Sequence, residues 1–184
     1  MLGLKRGTVR LEPHQDEWKN EAEKTIQELK DLLGLAAIDI QHIGSTAIPL
    51  IHAKPIIDLV IGVQKLDDIQ PFIENLQNHG FIFRGEDVAG QILLVKGDFK
   101  KDVRTHHIHV VKWNGDSWNN YINFRDFLNV FPEKALSYDT SKMKLASQYQ
   151  MDRNQYTNRK QRLITTFLEE AKLWKANQSQ DNFS

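Results

Sequence analysis

Residues 42–63 read HIGSTAIPLIHAKPIIDLVIGV, and the rest of the chain is best read outward from them. Residues 56–63 are almost continuously aliphatic and β-branched, the pattern of a strand covered on both faces, which needs no polar alternation. Upstream, a first strand ends at a tight Gly44-Ser45-Thr46 turn. A short helical segment is expected over 47–53 and the second strand over 55–63. The odd residue is Asp58. An ionised carboxylate among aliphatics is costly unless a cation, a metal or several hydrogen bonds compensate it. Lys54 stands four residues before it, and the backbone amides of the turn can face the same space. A polar pocket at the strand end is the economical reading, and this pocket is the candidate site.

On the N-terminal side, Trp18, Ala22, Ile26, Leu29, Leu32 and Leu33 recur at helical spacing from Asp16, with Gly34 placed to stop the helix. Residues 7–13 read as a short strand or extended lead, and 37–43 as the first core strand, carrying His42 at its end. Beyond residue 63, Asp67 or Asp68 caps a helix through Ile69, Phe72, Ile73 and Leu76, closed by His79-Gly80. Residues 81–84 and 91–96 read as an antiparallel hairpin. The spacing Gly85-x-x-x-x-Gly90 fails as a phosphate-binding loop, because Gln91 stands where the lysine is required.

Residues 105–113, THHIHVVKW, predict another strand. Alternation places Ile108 and Val110 on one face and His107 and His109 on the other, a spacing that metal sites use and that structural histidines also show. Three helices complete the chain. The first runs through Trp118, Tyr121, Phe124 and Phe127; Pro132 opens the second, through Ala135, Tyr138, Lys142 and Leu145. Asp152 with Gln155 opens the third, to about Trp174. The expected organisation is one domain over residues 1–175 with a polar, frayed tail over 176–184.

The 184 residues carry 24 basic and 24 acidic side chains, so no global polycation argues for nucleic acid or an anionic membrane. The halves differ: residues 1–100 hold 11 basic and 15 acidic groups and the remainder 13 and 9, a balance of −4 against +4. Lys142, Lys144, Arg153, Arg159, Lys160 and Arg162 supply most of the excess, as a solvated helix surface or as an anion-binding wall. With no cysteine, disulfides, thiolate metal sites and cysteine nucleophiles are excluded. The N-terminal residues lack the apolar core of a signal peptide, and no stretch reaches the roughly 20 apolar residues of a membrane span. A cytoplasmic protein is expected.

Two readings accompany each candidate. Gly44, Ser45 and Thr46 form a phosphate cradle or a turn with a helix cap. Asp58 is a ligand for metal or substrate, with His107 and His109 completing an Asp-His-His set, or a buried carboxylate satisfied by the turn. Lys54 neutralises Asp58 or binds phosphate. His42 faces the cleft or sits in the core. Arg125 pairs with Asp126 or contacts a neighbouring strand, or else reaches a phosphate. Lys142, Tyr156 and Lys160 are structural or jointly wall the pocket.

Four segments in order, residues 42–63, RTHHIHVV at 104–111, NFRDFLNVFPEKALSY at 123–138 and DRNQYTNRKQRLI at 152–164, resemble the GrpB-like family of the nucleotidyltransferase superfamily, over residues 8–172. The resemblance implies an α/β (α+β) fold: a nucleotidyltransferase-like mixed sheet flanked by helices, with a C-terminal helical part. Gly44 and Ser45 fit the superfamily's Gly-Ser turn and Asp58 its first metal-binding carboxylate. Val60 stands where the second acid is expected, and His107 and His109 fill the strand of the third. What is implied is a cleft for a small phosphorylated or nucleotide-like ligand, with one divalent metal (Zn, Mn or Mg) and nucleotidyl or phosphoryl transfer in which Asp58 and Ser45 are catalytic. The alternative is a non-catalytic nucleotide- or metal-binding module on a transferase scaffold. A metal-dependent hydrolase using the two histidines ranks below both.

Overall fold

The computed structural model describes residues 2–150 and 152–181. Six strands form one mixed sheet: β1 (Leu4–Lys5), β2 (Asp39–Ile43), β3 (Ile57–Val63), β4 (Ile82–Val88), β5 (Gln91–Asp98) and β6 (Val103–Lys112). Their order is β2-β3-β6-β5-β4, with β1 also pairing β6. β3 and β6 run parallel, while the β2–β3, β5–β6 and β4–β5 pairs are antiparallel. The sheet is therefore mixed, as expected, and its most buried strand, the apolar run, lies directly beside the histidine-bearing strand.

Helix α1 (Glu17–Leu33) covers one face. Trp18, Ala22, Leu29 and Leu33 pack on Ile40, Ile57, Leu59, Ile61, Ile108 and Val110 in a single buried cluster. Gly34 ends the helix with φ 52°, a conformation glycine adopts without cost. The opposite face meets α3 (Asp116–Val130), α4 (Pro132–Gln148) and α5 (Arg153–Asp181). These helices pack mainly on one another through Phe124, Phe127, Leu128, Tyr138 and Phe167, clamping Ile48 and Ile51. A smaller apolar contact, Trp118 on Ile43, Val60 and Val111, helps tie them to the sheet. Between these two anchor points the helices stand off the strands. That gap is the cleft.

Several elements differ from the sequence reading. Residues 47–53 are not helical: a 3-10 turn spans Ser45–Ala47, and Ala53 exchanges backbone hydrogen bonds with Glu12 instead. Pro49 has no N–H for a helical ladder, and Ile48 and Ile51 are drawn into the helical cluster. Of residues 7–13, only Glu12 forms that isolated bridge, and the short strand lies earlier, at Leu4–Lys5. The segment after β3 is mostly 3-10 (Leu66–Phe72) before α2 (Ile73–Asn78), since Pro71 interrupts it. Finally, α5 runs past Trp174 to Asp181, because Lys, Ala and Gln propagate a helix without an apolar face. Among the described residues no helix is long and apolar enough to cross a membrane.

Candidate functional site

The site begins with one rung of the sheet. Asp58 on β3 stands opposite Ile43 of β2 and His107 of β6. All three point to the helical side, since their chain neighbours Ile57 and Ile108 belong to the α1 core. His107 donates its Nδ1–H to Asp58 Oδ1 at 3.2 Å. Burial alone would push the Asp58 carboxyl up. That hydrogen bond, with the nearby His107, His109 and Lys160, overcomes it and holds the group below the ordinary carboxylate range.

The turn after β2 closes over this carboxylate. Gly44 has φ 70°, and a side chain there would place its first carbon 2.6 Å from Asp58 Oδ2. Glycine is thus required twice, by conformation and by contact. The first internal bond of the 3-10 turn is donated by Ala47 to the Gly44 carbonyl. The preceding amides, of Ser45 and Thr46, have no acceptor inside the turn, which is the electropositive end of any helix.

The C-terminal helices bring the cations. Lys142 of α4 is 1% exposed, and its ammonium reaches Ser45 Oγ at 3.4 Å, Asp139 Oδ1 at 3.4 Å and the His52 carbonyl. Burial and the charge of Lys160 pull Lys142 down to about 7, against Asp139, which holds it up. Asp139 in turn accepts the His52 backbone N–H at 2.9 Å and its Nδ1–H at 2.7 Å. The Tyr138 hydroxyl bonds Ser45, and burial pushes it above the ordinary tyrosine range. From α5, Lys160 faces the same space, and the Tyr156 ring lies 4.6 Å below the Lys54 ammonium. The Tyr156 hydroxyl is buried and finds no hydrogen-bond partner among the described residues, which suits a place for a ligand atom.

These groups enclose two joined chambers. The smaller, about 220 Å³, is lined by Ser45, Thr46, Lys54, Asp58, His107, Lys142, Tyr156 and Lys160 among others, so that three lysines face one carboxylate. The larger, about 650 Å³, shares Ser45, Asp58 and Lys160 with it and extends over His109, Gln91, Tyr121, Phe124, Tyr138, Ile164 and Leu168. One is polar and cationic; the other offers aromatic and aliphatic walls with a few amides.

Most residues singled out from the sequence meet here, and for three of them the geometry selects among the readings offered. Arg125 lines neither chamber. It donates to Asp126, to Gln41 Oε1 at 2.8 Å and to the His42 carbonyl at 3.0 Å, so it seals the exposed edge of β2. His42 lies beside it on the α1 side, 2.9 Å from Thr46 Oγ1, and burial lowers it to about 4. His109 does not join Asp58 and His107. The register pairs it with Val60, two rungs removed, and its ring tilts against Tyr121 with centroids 5.1 Å apart. Among the described residues no three His, Cys, Asp or Glu side chains gather as a metal site. Sequence reasoning in turn passed over His52 and Asp139, and read Tyr138 only as part of a helix. Of the basic helix residues, Lys144, Arg159 and Arg162 are exposed, while Lys142 and Lys160 turn inward.

Sheet, turn, cleft and C-terminal helices together define a protein of the nucleotidyltransferase-like fold. A solved poly(U) polymerase, Cid1 with MgGTP bound, superposes on 74% of this chain and 44% of its own with TM-score 0.51 at 14% identity, a likeness of fold alone. Within that fold the chain belongs to the GrpB family, whose model matches residues 8–170. The "Glutamate-rich protein GrpB" of Alkalihalophilus pseudofirmus is 38% identical over 173 residues, covering 92% of this chain and 99% of that protein. The crystal structure of the conserved protein GrpB from Enterococcus faecalis superposes with TM-score 0.81 at 30% identity, over 90% of this chain and 99% of that one.

The fold raises the question of a metal pair. Such a pair needs closely spaced carboxylates, and the hard divalent ions that serve it demand oxygen donors. Val60, the next cleft-facing position after Asp58, is buried against Ile43, Val111 and Trp118, and β6 presents imidazoles. These side chains do not fit a metal pair held by the protein.

Proposed function

We propose that this cleft binds a phosphorylated, nucleotide-like ligand, with its phosphates in the small chamber and its nucleoside in the large one. The observation that carries the reading is the convergence of Lys54, Lys142, Lys160, Ser45, Thr46 and the Tyr156 hydroxyl, which has no hydrogen-bond partner among the described residues, on one polar chamber. Amides at a turn and ammonium groups behind them are the groups that hold phosphate oxygens. The mixed lining of the second chamber suits a base and a sugar. The nucleotide in the poly(U) polymerase of like fold supports this ligand class.

In the finer reading the ligand brings one divalent ion to Asp58 and undergoes nucleotidyl or phosphoryl transfer, with Ser45 holding the phosphate and Lys160 neutralising developing charge. A second reading, binding without turnover, is favoured by Val60 in place of an acid. Calorimetry with the four ribonucleoside triphosphates, with and without magnesium, manganese or zinc, separates them. Lys160→Ala should weaken binding about tenfold or more in every condition, since it deletes a charge-assisted contact. Asp58→Ala should abolish the gain in affinity conferred by metal while leaving metal-free binding intact or tighter, because it removes a repulsive carboxylate. Nucleotide retained without product on prolonged incubation selects the binding module. Wild-type protein that takes up no nucleotide under any condition removes the proposal.

A further inference from the structure

Three histidines fall within four residues of β6, and the sheet assigns them three different surroundings. His106 is 2% exposed on the α1 face, with both nitrogens engaged by Thr25 and Thr105. His109 lies against Tyr121 in the large chamber. His107 is 30% exposed in the small chamber, beside the lysines. Its Nδ1–H is committed to Asp58, which fixes the tautomer and leaves the Nε2 lone pair on the far side of the ring, away from the carboxylate. A carboxylate-oriented imidazole beside a cluster of ammonium groups is the arrangement of a nucleophile facing an anionic electrophile. Its chamber also decides which phosphorus it meets. Because His107 lines the small chamber and not the large one, it reaches the phosphate tail and not the end joined to the nucleoside.

Building on the nucleotide-binding reading above, we propose that His107 accepts the terminal phosphoryl group of a bound nucleoside triphosphate. The Nε2 lone pair attacks the terminal phosphorus, the bond from that phosphorus to the bridging oxygen breaks, and the nucleoside diphosphate leaves with the electron pair. The product is an Nε2-phosphohistidine whose positive ring is balanced by Asp58. Lys54, Lys142 and Lys160 offset the charge that collects on the phosphoryl and leaving oxygens. Asp58 is a positioning residue in this step, since it acts through the imidazole.

The test uses the full chain, incubated separately with ribonucleoside triphosphates labelled at the terminal and at the first phosphorus, with calorimetry of the same nucleotides run in parallel. Wild-type protein is expected to take label from the terminal position only. The bond should be acid-labile and alkali-stable and should map to His107 within the tryptic peptide of residues 105–112. His107→Asn should lose the label, and His79→Asn, at a histidine that lines neither chamber, should keep it. Asp58→Asn provides a second handle that leaves His107 in place. Its amide can donate to Nδ1 and drive the proton to Nε2, so labelling should fall about a hundredfold or more. Nucleotide binding without terminal label overturns the phosphohistidine and leaves the binding cleft standing. Label from the first phosphorus overturns it as well, in favour of nucleotidyl transfer. Absence of binding removes both readings together.

Discussion

His106 and His107 are consecutive residues on one strand, and the difference between them describes the molecule. On the α1 face, Thr105 Oγ1 donates to the Lys96 carbonyl at 3.1 Å and so can receive the His106 Nδ1–H at 2.9 Å, while Nε2 lies 3.1 Å from Thr25 Oγ1. Both nitrogens of a neutral ring are spent, and burial with Lys96 nearby lowers His106 to about 4. On the helical face, His107 spends one nitrogen on Asp58 and turns the other toward a cavity. The sealed face uses imidazole as an uncharged bridge between threonines. The open face uses it as an oriented base. Polar groups that are fully satisfied hold a fold together; those satisfied on one side only point to what the fold is for.

The harshest way to test this contrast is to damage the sealed face and ask whether the open one notices. Ile108 is fully buried among Leu59, Ile61 and the α1 side chains. Ile108→Ala leaves a cavity there and should cost about 2–5 kcal/mol in urea-induced unfolding. Nucleotide affinity per folded molecule should stay within about twofold, since Ile108 lines neither chamber. An equal loss of affinity and stability would show that the two faces are not separate devices.

A milder test uses acid. His106 and His42, both lowered to about 4, bind protons less readily folded than unfolded. The unfolded chain therefore takes up more protons between about pH 6.5 and 4, and stability falls as the pH drops through that window. For the fully buried His106 the shift corresponds to about 3 kcal/mol at the acid end. Denaturant unfolding at several pH values should show this loss, and His106→Asn should remove His106's share of it while lowering stability near neutrality. A variant with the wild-type slope would mean that His106 is protonated inside the fold.

How much of this could be read from the sequence depends on how local each signal was. The apolar run around Asp58 announces a buried strand, and two-residue alternation separates Ile108 and Val110 from His107 and His109, as the register bears out. The pairing of Asp58 with His107 and not His109 depends on the β3–β6 register, which no single segment encodes. The bond of Asp139 to His52 spans 87 positions and comes from how α4 is seated over residues that are not helical at all. Arg125 carries the same charge as Lys142 and Lys160. Its place on α3 sends it to the carbonyl edge of β2, a question of helix phase that composition leaves undetermined.

The smallest effect concerns Lys142 and sharpens the contrast at the open face. Lys142 is held at about 7 by burial and by Lys160, with Asp139, Ser45, the His52 carbonyl and the Tyr138 ring as its other neighbours. A phosphate entering the chamber favours the ammonium form, so binding should draw a proton onto Lys142 whenever the free protein has lost it. Above pH 7 the affinity should therefore decline with rising pH, by up to about tenfold per unit, or about 1.4 kcal/mol. The terminal phosphate of a nucleotide ionises near pH 6 and would push the opposite way, so the measurement belongs above about pH 7.5, where the ligand's charge is settled. Calorimetry in two buffers of different ionisation enthalpy reads the proton directly: uptake should approach one per nucleotide in the wild type and vanish in Lys142→Met. Uptake that persists in the variant would assign the proton to another group and return Lys142 to the role of a structural partner for Asp139.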